Sequence, residues 1–186
     1  MILSKEIFRK KCLSKIKSLP SHNKIYRDSL VNKKLLQELK HVKNKSILFY
    51  YPLKFEVNIS KVLIIMRRKS NVYLPFMEGE SFKMVDYRLP LKKKKFDIFE
   101  AGNSIKKINK IDIALVPALG VDVNLQRIGF GRGMYDRFFA KLKKKPYTIF
   151  IQADNCYTRK KICDHYDVSC DLLISPRKSF RAKSLS

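Results

Sequence analysis

The sequence predicts an α/β fold in which a mostly parallel central sheet is flanked by helices in three layers, with two helices at the amino terminus. Three observations predict it. From residue 46 onward, β-rich runs alternate with helix-period segments, the order expected of strands joined by helical crossovers. The segment Ile111-Asp112-Ile113-Ala114-Leu115-Val116, closed by Pro117, is the most strand-like in the chain. The first forty residues carry a helical period instead.

Phe8, Cys12, Ile16 and Leu19 are spaced by four, four and three residues, which places them on one stripe of a first helix. Ser4 is its expected N-cap, and Pro20-Ser21 ends it and opens a second helix running to about Leu39. The second stripe is rougher, through Ile25, Leu30, Leu35 or Leu36, and Leu39. Residues 46–51 form a β-rich run closed by Pro52, residues 59–69 read as helix, and residues 71–74 as a short strand closed by Pro75. Residues 82–87 alternate like another strand. After the 111–116 strand comes a glycine-rich loop, then a helix whose Tyr135, Phe138, Phe139 and Leu142 fall at i, i+3, i+4 and i+7. Strands at 147–152 and 172–174 complete the set, and residues 92–110 read as a loop-like excursion.

At 186 residues the chain fits one domain, taken as 1–178, with a basic, mobile tail at 179–186. A hydrophobic content of 45% excludes a disordered composition. No apolar run is long enough to cross a bilayer, and the first charge falls at Lys5, so the amino terminus has no apolar signal core. A cytoplasmic monomer is the expectation. Cysteines 12, 156, 163 and 170 are then expected to be reduced and buried. Cys156, Cys163, His165 and Cys170 invite a zinc reading, but the six-residue gaps between the cysteines lack the tight pairs of structural zinc sites.

The 41 basic residues against 16 acidic give a formal net charge of +25. Such a surface attracts nucleic acid through counterion release, which makes a nucleic-acid binder the rival reading. The basic residues are spread along the whole chain, however, with no aromatic-interleaved segment or zinc-finger spacing. That favours a lysine-rich surface whose benefit is to draw in anionic ligands.

The chemistry concentrates in the loop PALGVDVNLQRIGFGRGMYDR between the 111–116 strand and the helix beginning near Met134. Gly129, Gly131 and Gly133 alternate, so backbone N–H groups can approach a ligand without Cβ obstruction. The loop leads into a helix amino terminus, which favours an anion. Arg127, Arg132 and Arg137 bracket it with guanidinium forks that match phosphate oxygens. Asp136 stands where it can hold Mg²⁺ or favour the positive helix end. The pattern is neither a Walker A loop nor G-x-G-x-x-G. Lys5 and Arg9, four apart, point the same way from the first helix, and Tyr51 to Glu56 sets aromatics and a carboxylate just past a strand end.

Taken in order, these segments resemble the 5-formyltetrahydrofolate cyclo-ligase (5,10-methenyltetrahydrofolate synthetase) family from about Lys5 to Pro176. Lys5-Glu6-Ile7-Phe8-Arg9 resembles the family's ATP-binding opening K-x-x-[apolar]-R, and Tyr51 to Glu56 with Val57-Asn58 its substrate-binding strand end. Val72-Tyr73-Leu74-Pro75 resembles its short strand and proline, and Phe99-Glu100-Ala101 stands at its usual Glu-Pro. Most specific are Val116 to Asp122 and Arg127 to Arg137, similar to VPGLAFD and RLGRGGGYYDR. Arg132 interrupts the glycine run, and Met134 replaces the first of two tyrosines.

The resemblance implies ATP-dependent closure of 5-formyltetrahydrofolate to 5,10-methenyltetrahydrofolate with Mg²⁺. Lys5, Arg9, Arg127, Ile128, Gly129, Phe130, Gly131, Arg132, Gly133, Met134, Tyr135 and Asp136 would bind ATP, with Arg127 and Arg132 serving the phosphoryl transfer. Tyr51, Glu56 and Tyr135 would bind the folate, and Asp136 and Asp171 the metal. A relative that binds these ligands without catalysis is the other alternative.

Overall fold

The computed structural model describes residues 3–88, 92–93, 99–100, 108 and 110–182. Helix α1 spans Lys5–Lys17 and buries Phe8, Cys12 and Ile16, the stripe read from the sequence. The Ser4 side chain accepts a hydrogen bond from the Ile7 N–H at 3.2 Å, satisfying one of the orphan donors of the first turn. A 3₁₀ turn at Ser21–Asn23 leads into α2, Lys24–Glu38. Its buried row is Val31 and Leu35, continued by Leu39, whereas Ile25 is 84% exposed. Ile25 lies six residues before Val31, so it sits roughly 120° around the helix and misses the core.

Next come β1 (Ser46–Leu48), α3 (Ser60–Arg67), β2 (Asn71–Glu78) and β3 (Ser81–Asp86). Two-residue strands β4 (Lys92–Lys93) and β5 (Phe99–Glu100) pair antiparallel; most of the 92–110 excursion, including Ala101, falls outside the described residues. Strand β6 (Ile113–Pro117) is followed by a small antiparallel pair, β7 (Gly120–Val121) and β8 (Arg127–Ile128). Then follow α4 (Met134–Ala140), β9 (Tyr147–Ile151), β10 (Leu172–Ile174) and β11 (Ser179–Arg181).

The main sheet has the order β11-β10-β9-β6-β1-β2-β3. Its five inner strands are parallel, with β3 and β11 antiparallel at the edges. Because side chains alternate across a strand, Ile47 and Leu115 face one core and Leu48, Ala114 and Val116 the other. The first core takes Val31 and Leu35 of α2 with Val62 and Met66 of α3, and the second takes Phe138 of α4. The result is the expected three-layer arrangement.

Three expectations are corrected. Strand β2 continues through Pro75, which stands opposite Met84 of β3. It can do so because β1 pairs only as far as Tyr73, leaving no ladder on the side where proline lacks a donor. Residues 179–181 are not tail: they pair with β10, Leu172 opposite Arg181, and the Arg181 guanidinium reaches Glu38 at 2.6 Å. Residues 183–186 lie outside the described residues.

The third correction concerns the thiols. Cys12 and Cys156 form a disulfide across 144 residues of sequence, with Cα atoms 5.8 Å apart. It ties α1 to the loop after β9, and Cys156 is thereby taken out of the group that suggested zinc. Cys163 and Cys170 are free and buried. Gly120 makes the docking of α1 possible, since a Cβ there would fall 2.8 Å from Cys12 Sγ and 2.9 Å from the Phe8 ring. Replacing Cys12 with serine is expected to lower the unfolding free energy by about 2–4 kcal/mol, because the cross-link closes a long loop in the unfolded chain. Urea denaturation of the variant beside the oxidised protein measures it.

Candidate active site

The segment after β6 is built around one buried carboxylate. Asp122 accepts hydrogen bonds from the N–H groups of Asn124 and Gln126 through Oδ1 and of Ile162 and Cys163 through Oδ2, at 2.9 to 3.3 Å. This fixes the β7–β8 hairpin and, with it, the glycine segment that follows. Helix α1 lies across the hairpin through Phe8, Cys12 and Ile16 against Leu119 and Ile128. The Arg9 Nε donates to the Gly129 carbonyl at 2.9 Å, so the first helix grips the glycine loop directly.

Gly131 and Gly133 have φ of +100° and +60°, backbone conformations that L side chains rarely adopt. Gly129 is required for a different reason. The Arg127 side chain folds back over it, and a methyl group there would lie 2.6 Å from the guanidinium carbon. Gly129→Ala must therefore displace Arg127, and the expected result is a loss of turnover of about 10²-fold with the fold retained. Steady-state kinetics beside circular dichroism of the variant test this.

Two cavities meet at this loop. The first, about 320 Å³, is cationic and lined by Lys5, Arg9, Arg127, Gly129, Gly131, Gly133, Asp136, Arg137, Ala140, Tyr166 and Asp167. Lys5 Nζ lies 2.6 Å from Asp167 Oδ1. Burial works against its charge, but the hydrogen bond and the charge of Asp167 outweigh this and hold its pKa above the ordinary lysine value. Asp136 accepts from the Val168 N–H at 3.2 Å, which brings the start of α4 against the segment carrying Asp167. Arg137 reaches back to the Glu80 and Arg132 carbonyls and braces the loop.

The second cavity, about 280 Å³, is mainly apolar and lined by Tyr50, Tyr51, Leu53, Glu56, Pro75, Met77, Phe82, Pro117, Arg127, Phe130, Arg132, Gly133, Met134 and Tyr135. Glu56 is buried within it and accepts from the Leu53 N–H at 2.9 Å. Burial pushes its pKa up to about 7, with the Leu53 hydrogen bond, Arg127 and Lys24 pulling the other way. Tyr135 is held edge-on to Phe82, their ring centroids 5.1 Å apart.

Arg127 and Gly133 belong to both walls. The Arg127 guanidinium is buried, donates from Nε to the Pro117 carbonyl at 2.9 Å and lies 4.8 Å from the Tyr135 ring centroid. Burial lowers its pKa, while Asp136, Glu56 and Asp167 support the charge. A pre-positioned cation thus stands where the two cavities join.

Most of the residues read from the sequence converge here, with three differences. Ile128 faces away from both cavities and is buried against Phe8 and Cys12, so only its backbone belongs to the loop. Phe130, Arg132, Met134 and Tyr135, all expected to bind ATP, line the apolar cavity rather than the cationic one. Asp171 is not in the site: it precedes β10 at the amino-terminal edge of the parallel strands and accepts from the Thr148 N–H at 2.7 Å. The carboxylate that does reach the cationic cavity, four residues earlier, is Asp167. Sequence reasoning also passed over Tyr166 and the apolar wall of Pro75, Met77 and Phe82. The signal available for that wall was the 71–87 pair of strands ending beside the Tyr51–Glu56 turn.

Curated relatives and solved structures agree on one family. The 5-formyltetrahydrofolate cyclo-ligase of Mycoplasma pneumoniae is 27% identical over 177 residues, covering 93% of this chain and 99% of the relative. That of Haemophilus influenzae is 26% identical over 142 residues, covering 70% of this chain and 75% of the relative. Among solved structures, the 5,10-methenyltetrahydrofolate synthetase of Aquifex aeolicus shares the fold with a TM-score of 0.81 at 24% identity, covering 98% of this chain and 96% of that one. The synthetase from Mycoplasma pneumoniae aligns with a TM-score of 0.71 at 26% identity, covering 94% and 99%. Residues 2–176 match the 5-formyltetrahydrofolate cyclo-ligase family, and the chain belongs to it.

Proposed function

We propose that this chain catalyses the ATP-dependent cyclisation of 5-formyltetrahydrofolate to 5,10-methenyltetrahydrofolate, with release of ADP and phosphate. The observation that carries the reading is the shared wall at Arg127, which joins a cationic cavity suited to a triphosphate to an apolar cavity suited to a ring system.

The triphosphate lies along Lys5, Arg9 and the N–H groups of the glycine loop, with its terminal phosphate toward Arg127. The reduced pterin enters the apolar cavity, where Glu56 accepts hydrogen bonds from pterin N–H groups and Tyr51, Met134 and Tyr135 contact its faces. The formyl oxygen then attacks the γ-phosphorus, the bond to the β-phosphate oxygen breaks, and ADP departs. N10 adds to the activated formyl carbon. The carbon–oxygen bond breaks, and phosphate leaves with the N10 proton. Such a transfer asks the protein for positioning and charge stabilisation rather than for a covalent nucleophile. Arg127 meets the charge as it develops, and Arg132, on the folate side, closes the opposite flank of the transferred group.

The donor set fits Mg²⁺. Asp136 and Asp167 put hard carboxylate oxygens on the cationic cavity, and this ion commonly takes one or two carboxylates together with nucleotide phosphates. Among the described residues no group of three or more His, Cys, Asp or Glu side chains is arranged to hold a metal, so the phosphates must supply the remaining oxygens. When bound, the ion neutralises phosphate charge.

Mixing the protein with 5-formyltetrahydrofolate and Mg-ATP tests the reading. Growth of the near-ultraviolet absorbance of the methenyl product, with one ADP formed per product, is expected. Ligand binding without product would identify a non-catalytic relative instead.

A further inference from the structure

Helix α2 carries a polar stripe that ends on the Glu56 segment. Lys24, Asp28 and Asn32 are spaced by four, so they share one side of the helix. The Lys24 Nζ donates to the Glu56 carbonyl at 2.9 Å and pairs with Asp28 Oδ2 at 2.6 Å. The same carboxylate oxygen accepts from the Asn58 N–H at 3.2 Å, and the Asn32 amide donates to the Asn58 carbonyl at 2.8 Å. The Val57 carbonyl accepts from the Tyr50 hydroxyl at 2.8 Å. Each carbonyl from Glu56 to Asn58 is therefore held by a side chain, two of them by α2. Lys24 itself stands outside the apolar cavity. It lines a separate one, of about 380 Å³, with Lys17, Arg27 and Lys54.

We propose that Lys24 is a positioning residue for folate binding: from outside the cavity it ties the Glu56 segment to α2 and sets a positive charge against it. This rests on the reading of Glu56 as the acceptor for pterin N–H groups. The other groups around that carboxylate leave the task to Lys24. Arg127 of β8 also supports the ionised form, but it serves the phosphate side of the site as well. The Tyr50 and Tyr135 hydroxyls are buried and keep their protons, and Lys54 on the same turn is exposed. Asp28 aims the ammonium and offsets part of its charge. The Lys24 side chain is 37% exposed, so water screens it further and the effect is moderate rather than all-or-none.

Lys24→Met is expected to raise the KM for 5-formyltetrahydrofolate about tenfold at pH 7, with kcat and the KM for ATP within about twofold of the parent. The pH at which folate affinity levels off, about 7 in the parent, is expected to move up by about one unit, because ionised Glu56 loses a supporting charge. Lys24→Arg keeps the charge and should keep the parental profile. So should Lys17→Met, which removes another lysine of the adjoining cavity. In the Glu56→Gln background, Lys24→Met should change the folate KM no more than about threefold, since the charge has no carboxylate left to support. Lys24→Gln, a donor without the charge, carries the same test if circular dichroism shows the methionine variant unfolded. A loss that is the same at every pH, or one that adds in full to Glu56→Gln, overturns the role. Absence of folate binding by the parent chain overturns the reading of Glu56 itself, and this role with it.

Discussion

Replacing Arg127 with alanine is expected to lower kcat about 10³-fold, the range found when a preorganised cation or donor is removed from a phosphoryl-transfer or oxyanion site. The reason is location. The guanidinium is buried at the junction of the two cavities, where water screens it least, and Gly129 is bare of a side chain so that it can lie there. Alanine also leaves the Pro117 carbonyl without its Nε partner, so some loss of stability accompanies the loss of rate. Arg127→Lys separates the two effects. Lysine keeps a charge but not the planar fork, so it is expected to fold as the parent does and to recover no more than about tenfold of the lost rate. Initial rates of methenyl product formation, with circular dichroism as the control for folding, measure both variants. A lysine variant with parental kcat would remove Arg127 from the chemistry.

Glu56→Gln is expected to raise the KM for 5-formyltetrahydrofolate about 10²-fold and to change how the protein responds to pH. The carboxylate is the buried acceptor of the apolar cavity, and a hydrogen bond to a charged group contributes about 1.5–3 kcal/mol, enough for this loss. Its pKa of about 7 means that half of the free protein carries a proton on Glu56 at neutral pH. The pterin N–H groups need the ionised form. The apparent affinity for folate should therefore rise with pH up to about 7 and level off above it, and this limb should vanish in the glutamine variant. Stability moves in the opposite direction. In the unfolded chain the group ionises near 4.5, whereas the folded protein keeps its proton to about 7. Between those values the folded state binds more protons, so this group's contribution to stability falls as pH rises through the window and is constant beyond it. The stability of the parent relative to Glu56→Gln should drop by roughly 3 kcal/mol between pH 4 and pH 8, read from paired denaturation curves.

The parts of the fold that were legible in the sequence are those where one local rule decides the outcome. The four-residue spacing of Phe8, Cys12 and Ile16, the serine ahead of it and the apolar run closed by Pro117 each survive in the structure with little change. Pro75 did not follow its usual rule, because whether a proline breaks a strand depends on how far the neighbouring strand extends, a property of the sheet rather than of the segment. The disulfide was invisible for a similar reason: nothing in the local sequence couples two cysteines 144 residues apart. In the site, the alternating glycines and their flanking arginines announced an unusual, cation-rich loop, since both depend on backbone freedom and charge. Asp167 and Asp171 show where the reading ran out. They are the same residue type on one short segment, but the chain beside Asp167 runs along β8, where Val168 accepts from the Arg127 N–H, and this carries the first to the cavity while the second lies just before β10. The burial of the Ile128 side chain was not legible because a motif marks a stretch of backbone, and alternate side chains of that stretch belong to the core.

In the proposed reaction ATP's terminal phosphate and the formyl oxygen of the folate meet directly at Arg127. Turnover of substrate carrying ¹⁸O in the formyl group tests this. Direct transfer predicts that the label is recovered in the released phosphate, one atom per methenyl product. Label recovered in water, with unlabelled phosphate, would contradict it.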